Sequence, residues 1–197
     1  MVRVKKVVEN KGFGGPNISF EEGKHTVIDN FLEYEQFKGL QEAIVFNDKF
    51  PLSAVKTVSS KRKKIKDIED KRLWSWYMLH MVYENDMPVS EFAQPLMELF
   101  SPRFVDLGVI KSLARVKINM FPYTHEVHEH EPHKDRDYPI KNALFSLNTC
   151  DGFTRLSDGS KIESVENRIV FFDGSFPHNS TTTSNAEARF NINFNFF

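Results

Sequence analysis

The stretch "THEVHEHEPHKDRDYP", Thr124 to Pro139, holds four of the chain's seven histidines. Histidine and carboxylate side chains can share a divalent metal ion, and backbone geometry limits which of them do so. On an extended chain, residues i and i+2 face the same way, so a His-x-carboxylate triplet grips an ion from one side. His125, His128 and His130 are followed two places on by Val127, His130 and Pro132, and His25, His80 and His178 by Val27, Val82 and Ser180. Only His133-Lys134-Asp135 meets the requirement. Two histidines and one carboxylate with open positions on the metal form the set used for non-haem Fe(II) oxygen chemistry. The second histidine must then come from elsewhere, and the only one after His133 is His178, in "FFDGSFPHNS". His125, His128 and His130 read as exposed loop residues. Asp137 shares the face of Asp135 if the strand continues, to meet substrate or to orient Lys134 or Arg136.

These residues need elements to position them. From about residue 113 the hydrophobic period is two. "RVKINMF" sets Val116, Ile118 and Met120 against Lys117, Asn119 and Phe121. "NALFSLN" and "NRIVFFDG" read as strands, and "CDG", "SDGS" and "FDGS" as the turns between them. The closing "ARFNINFNFF" places Phe190, Ile192, Phe194 and Phe196 on one face and Arg189, Asn191, Asn193 and Asn195 on the other. The phenylalanine face can bury against a helical layer. The polar face then points into the barrel with an arginine that needs a partner or a ligand.

Before residue 113 the signals are mostly helical. "HTVIDNFLEYEQFKGLQEAIVF" opens with an apolar stretch and then spaces Phe37, Leu40 and Ile44 for a helix. "DKRLWSWYMLHMVYEN" is predicted helical, with Leu73, Trp76, Tyr77 and His80 on one face. "MPVSEFAQPLMELF" gives Val89, Phe92, Leu96 and Leu99, with Pro95 kinking or dividing the helix. The basic run Lys61 to Lys64 is followed by acids and reads as a solvated face.

The order His-x-Asp, distal histidine, then arginine on the next strand resembles the Fe(II)/2-oxoglutarate-dependent dioxygenases, particularly the prolyl-hydroxylase-like members. "SLNTCDGFTRLSDGSKIESVENRIVFFDGSFPHNS" is similar to that superfamily's run of strand, turn, strand and histidine loop, and "VIDNFL" to its N-terminal segment. The resemblance covers residues 114–197 well and 25–46 loosely. It implies an α+β fold with a mainly β core, a double-stranded β-helix (jelly roll) with N-terminal helices packed on one sheet. It implies Fe(II) on His133, Asp135 and His178, 2-oxoglutarate as cosubstrate and O2 as oxidant. Arg189 would bind the cosubstrate's distal carboxylate, with Ser146 and Asn119 as further cosubstrate contacts. Phe121 stands where many members have a tyrosine, and Tyr123 is the candidate substitute. The stretch from Asn119 to His133 is longer than usual.

The implied function is hydroxylation of an unidentified substrate, with a protein side chain such as proline favoured. The alternatives are a nucleic-acid demethylase of the same superfamily and a non-catalytic, cupin-like metal-binding module. Bulk composition agrees with a single domain over 1–197, helical support in 1–112 and a metal-binding β core in 113–197. Net charge is −1, so no basic field advertises nucleic acid. One cysteine, Cys150, excludes an internal disulfide framework and a cysteine zinc cage. No signal or membrane-spanning stretch is evident, and the expectation is a soluble cytoplasmic protein with no membrane partner.

Overall fold

The computed structural model describes residues 17–56 and 73–197. Its elements in chain order are β1 His25–Ile28, α1 Tyr34–Ile44, β2 Ser53–Val55, β3 Tyr77–Glu84, β4 Met87–Pro88, α2 Ala93–Asp106, β5 Leu113–Pro122, β6 Lys141–Ser146, β7 Phe153–Arg155, β8 Lys161–Glu163, β9 Arg168–Asp173 and β10 Ala188–Phe196. Eight strands form one antiparallel sheet in the order β1-β9-β6-β10-β5-β3-β2, with β4 paired to β3. A smaller layer lies opposite. β7 pairs with β8, Arg155 bridges Asn179, Glu129 bridges Thr181 and His133 bridges His178. Segments 128–133 and 178–183 thus continue the β7–β8 ribbon, and the two layers form a jelly roll.

Side-chain alternation assigns each face of the large sheet. Val116, Ile118, Ala143, Phe145, Ile169, Phe171, Ile192, Phe194 and Phe196 are buried with Phe37, Leu40 and Ile44 of α1 and with Leu96, Phe100 and Phe104 of α2. The phenylalanine face of β10 therefore packs on the helices, as its alternation predicts. Phe100 lies 4.7 Å from Phe194 and 5.0 Å from Phe145, ring centroid to centroid. The N-terminal segment is tied to β9 by polar contacts. The Asn167 side chain accepts from Leu32 N–H at 2.9 Å and donates to Leu32 O at 2.8 Å, and Arg168 pairs with Asp29 through two contacts of 2.5 and 2.9 Å.

Three expectations need correction. Residues 77–84 are not helical but form strand β3, paired with β5 from Met78↔Met120 to Glu84↔Arg115. Large apolar residues on both faces mimic a helical stripe, and the open edge of β5 decides the outcome. Pro95 neither kinks nor divides α2, because the helix starts at Ala93 and Pro95 falls in its first turn, where a missing N–H costs nothing. Val89 lies outside that helix and is exposed. Among the described residues, 1–112 holds two helices and four strands rather than a mostly helical support. The basic run 61–64 lies outside the described residues, and among the latter no helix is long and apolar enough to cross a membrane.

Candidate metal centre

His133 and His178 face each other across an antiparallel bridge. Each donates its backbone N–H to the other's carbonyl, at 3.0 and 2.9 Å. Such a pair holds both side chains on one face of the layer, and the two rings lie 4.7 Å apart. The chain then leaves the bridge, and Asp135 N–H donates to Gly174 O at 3.2 Å. That turns the carboxylate inward, 3.8 Å from His178 Nε2. One ligand atom from each of the three residues lies within 4.8 Å of the other two. Ligands about 2.1 Å from a first-row metal and on one side of it lie about 3 Å from one another, so small side-chain movements that draw the three together would close them onto an ion. His178 Nδ1 sits 3.1 Å from Phe176 O. A carbonyl only accepts, so Nδ1 carries the proton and Nε2 presents its lone pair to the centre.

The Asp135 carboxylate is held on every side. Oδ1 accepts from Arg115 Nη2 at 2.8 Å, and Oδ2 from Asn142 at 2.7 Å, Asn195 at 3.0 Å and Asn193 at 3.2 Å. Lys117 Nζ lies 3.8 Å from Oδ1. Burial alone would raise the Asp135 carboxyl, but the charges of Lys117, His178 and Arg115 outweigh it and hold it well below the usual range. Burial lowers Lys117 to about 8, against the opposing pull of Asp135. Burial and the neighbouring His178 push His133 down to about 3, so its imidazole is neutral at pH 7.

A cavity of about 350 Å³ opens over this centre, within the size range of small-molecule sites. Tyr77, Lys117, Asn119, Phe121, Thr154 and Asn191 line it with the three candidate ligands. Arg189 is 1% exposed and reaches the cavity through Thr154, whose Oγ1 accepts from Nη2 at 2.9 Å. Arg189 Nε and Nη1 are buried without a hydrogen-bond partner among the described residues. Gly152 makes room for this arginine: a Cβ there would lie 2.7 Å from Arg189 Cδ and 2.8 Å from Thr182 O.

The other sequence-predicted residues divide. Asn119 lines the cavity, donates to Asn191 Oδ1 at 2.8 Å and leaves its own Oδ1 buried without a partner among the described residues. Ser146 is buried on β6 opposite Asn191, outside the cavity lining. Tyr123 is 54% exposed and does not replace the missing tyrosine. Tyr77 of β3 does line the cavity, stacked on Phe121 at 5.5 Å. His125 is exposed, as expected of a loop residue; Asp137 is exposed as well and does not share the inward face of Asp135, because no strand continues past that residue. His128 stacks on Trp74 at 4.6 Å, half-buried. His130 is not an exposed loop residue: it is 1% exposed, with Nδ1 3.0 Å from Ser180 Oγ. The pairing of 128–133 with 178–183 carries it inward, and burial lowers it to about 4. Arg115, Asn142 and Thr154 carry no motif that marks them in the sequence, and Tyr77 is predicted only as part of a helical face. Arg115 could have been found by running the Lys117–Asn119–Phe121 alternation back two residues. Tyr77 was hidden by the helical reading of its segment.

No family model matches the chain, and no curated protein matches it in sequence. Solved structures do match in fold. A Pseudomonas putida prolyl-4-hydroxylase aligns with a TM-score of 0.59 and 13% identity, over 87% of this chain and 91% of that one. A viral collagen prolyl hydroxylase from Paramecium Bursaria Chlorella virus-1 gives 0.55 and 14%, over 89% and 98%. A non-heme alpha ketoglutarate dependent epimerase from nogalamycin biosynthesis gives 0.60 and 10%, over 87% and 75%. The chain therefore has the jelly-roll fold of the 2-oxoglutarate/Fe(II) oxygenases. A fold shared by hydroxylases and an epimerase does not by itself choose the reaction.

Proposed function

We propose that the protein is an Fe(II)- and 2-oxoglutarate-dependent dioxygenase that hydroxylates an organic substrate. One observation carries the reading: a two-histidine, one-aspartate cluster shares a barrel with a buried arginine, two of whose nitrogens have no hydrogen-bond partner among the described residues. The cluster's donor set suits Fe(II). The arginine suits a carboxylate, which accepts two parallel N–H bonds. A purely structural metal site of the cupin-like kind has no use for that arginine.

His133, Asp135 and His178 would hold the iron. Bound there with 2-oxoglutarate and O2, the iron would supply the oxidising power, with one oxygen atom going to succinate and CO2 released, and the other going to the substrate hydroxyl. The rest falls to the chain. Arg189 donates to the cosubstrate's distal carboxylate through the end-on edge of its guanidinium, Nη1 together with the second Nη2 hydrogen, while the first Nη2 hydrogen stays on Thr154. The Lys117 and Arg115 charges keep Asp135 ionised, and the Asn142, Asn193 and Asn195 amides hold it in place. Phe176 O fixes the tautomer of His178. Phe121, Phe172 and Leu144 line the cavity and exclude water. A protein side chain such as proline is the favoured substrate, on the likeness to two prolyl hydroxylases. No observation favours the nucleic-acid demethylase reading.

The test is anaerobic addition of Fe(II) and 2-oxoglutarate to the folded full chain. A visible metal-to-ligand charge-transfer band is expected, and Arg189→Met should need far more 2-oxoglutarate to produce it. Absence of the band in the unsubstituted protein, with no succinate formed in air, would sink the proposal.

A further inference from the structure

Arg115, Lys117 and Arg189 face the barrel interior, and Asp135 is the one acid lining its cavity among the described residues. Loading the site as proposed adds Fe(II) and dianionic 2-oxoglutarate, whose charges cancel. Three buried or mostly buried cationic side chains then face one carboxylate, and two positive charges remain in a largely buried space; Lys134 also lines the cavity but is exposed, so water solvates its charge. Buried charge without a counter-charge is strongly unfavourable. Glu84, the other acid acting on Lys117, is paired with Arg136 at 3.2 Å.

The excess has a location. In the β5–β10 register Arg189 lies opposite Phe121, Lys117 opposite Asn193 and Arg115 opposite Asn195. Four residues of strand, about 13 Å, separate the Arg189 row from the Lys117 row. One cosubstrate carboxylate anchored on Arg189 leaves the Arg115–Lys117 end unanswered. Arg115 is committed to Asp135 and to Asn195 Oδ1, both at 2.8 Å. Lys117 is not: its ammonium has no hydrogen-bond acceptor among the described residues, and its nearest carboxylate oxygen is 3.8 Å away.

We propose that Lys117, backed by Arg115, binds an anionic group of the primary substrate, a carboxylate or a phosphate, and so places the substrate beside the metal centre. The inference rests on the dioxygenase reading and narrows its substrate to a molecule or peptide that carries an acid near the oxidised carbon. A wholly neutral substrate would leave the charge unbalanced.

The experiment uses the full chain loaded with Mn(II), a redox-inert paramagnetic stand-in, and with 2-oxoglutarate. Fluorine NMR follows the relaxation of trifluoroacetate and of neutral trifluoroethanol, which shares its CF3 group. Trifluoroacetate should relax much faster than trifluoroethanol. Lys117→Met should weaken its binding about tenfold, the scale of one lost charged contact, and Lys117→Arg should restore it. Displacement by acetate assigns the site to carboxylates and displacement by inorganic phosphate to phosphoryl groups; either supports the proposal. Equal relaxation of the two probes would overturn it, as would an unchanged Lys117→Met. A Lys117→Met chain that binds 2-oxoglutarate about tenfold more weakly also overturns it, because the lysine then belongs to the cosubstrate. Retained Mn(II) binding and near-ultraviolet circular dichroism establish that the variants are folded. Failure of the dioxygenase reading shows separately, as an unsubstituted chain with no charge-transfer band, and it removes this proposal as well.

Discussion

Arg189 keeps its position because residue 152 has no side chain. In Gly152→Ala the new methyl would press on Arg189 Cδ and on the Thr182 carbonyl, and that backbone cannot swing aside as a side-chain tip can. Overpacking of this kind costs about 1–3 kcal/mol. Because the displaced group is the candidate carboxylate anchor, 2-oxoglutarate affinity should fall with stability, and denaturant unfolding and cosubstrate titration read the two losses. A variant with normal cosubstrate affinity would detach Arg189 from the site. His130 gives a pH signature. Its folded-state value is depressed to about 4 by burial, against an ordinary 6.5. Below pH 6.5 the unfolded chain takes up a proton that the folded chain refuses. Stability present above pH 6.5 is therefore lost as pH falls towards 4, by about 3 kcal/mol in full. His130→Gln should flatten that part of the stability curve measured by urea unfolding between pH 7 and 4. An unchanged slope would assign the loss to other groups.

At the level of elements, strict alternation was legible and context-dependent pairing was not. β10 could be read from the sequence because its two faces differ from Arg189 on: phenylalanine and isoleucine meet the helices, and arginine and asparagine face the barrel interior. The same alternation placed Lys117, Asn119 and Phe121 together on β5. His133, Asp135 and His178 were legible because one triplet and one later histidine satisfied the geometry. β3 was not legible, since Tyr77 to Glu84 is apolar on both faces and only the free edge of β5 selects a strand. His130 was misread because its burial comes from a partner segment some fifty residues later in the chain. The join between helices and sheet gives a mutational test. Phe100 is fully buried against Phe31, Phe104, Phe145 and Phe194. Phe100→Ala should cost about 3–5 kcal/mol. Val105, 67% exposed on the same helix, should tolerate alanine to within about 0.5 kcal/mol. Similar costs for both in denaturant unfolding would mean that α2 does not dock as described.

For the whole molecule, the candidate centre lies where the two layers of the jelly roll meet. His133 and His178 belong to the small layer, while the Asp135 carboxylate is held by Arg115, Asn142, Asn193 and Asn195 of the large sheet. An ion bound by all three residues would clamp one layer to the other. The unfolded chain has no such assembled site, so binding adds to folding stability. At a free ion concentration about 100 times Kd the gain is about 2.7 kcal/mol. For a chain of this size that raises Tm by roughly 5–10 °C. Thermal unfolding with and without Mn(II) measures it. His178→Ala is the informative control, because it removes one donor and leaves the Asp135 cage intact. Asp135→Ala is a poor one: it also leaves Arg115 and Lys117 without their carboxylate, at a cost of about 3–5 kcal/mol before any metal is added. The Mn(II)-dependent gain should vanish in His178→Ala while Tm without metal shifts little. A gain that survives the substitution would mean that the ion binds elsewhere, and that the two layers are held together by their hydrogen bonds and packing alone.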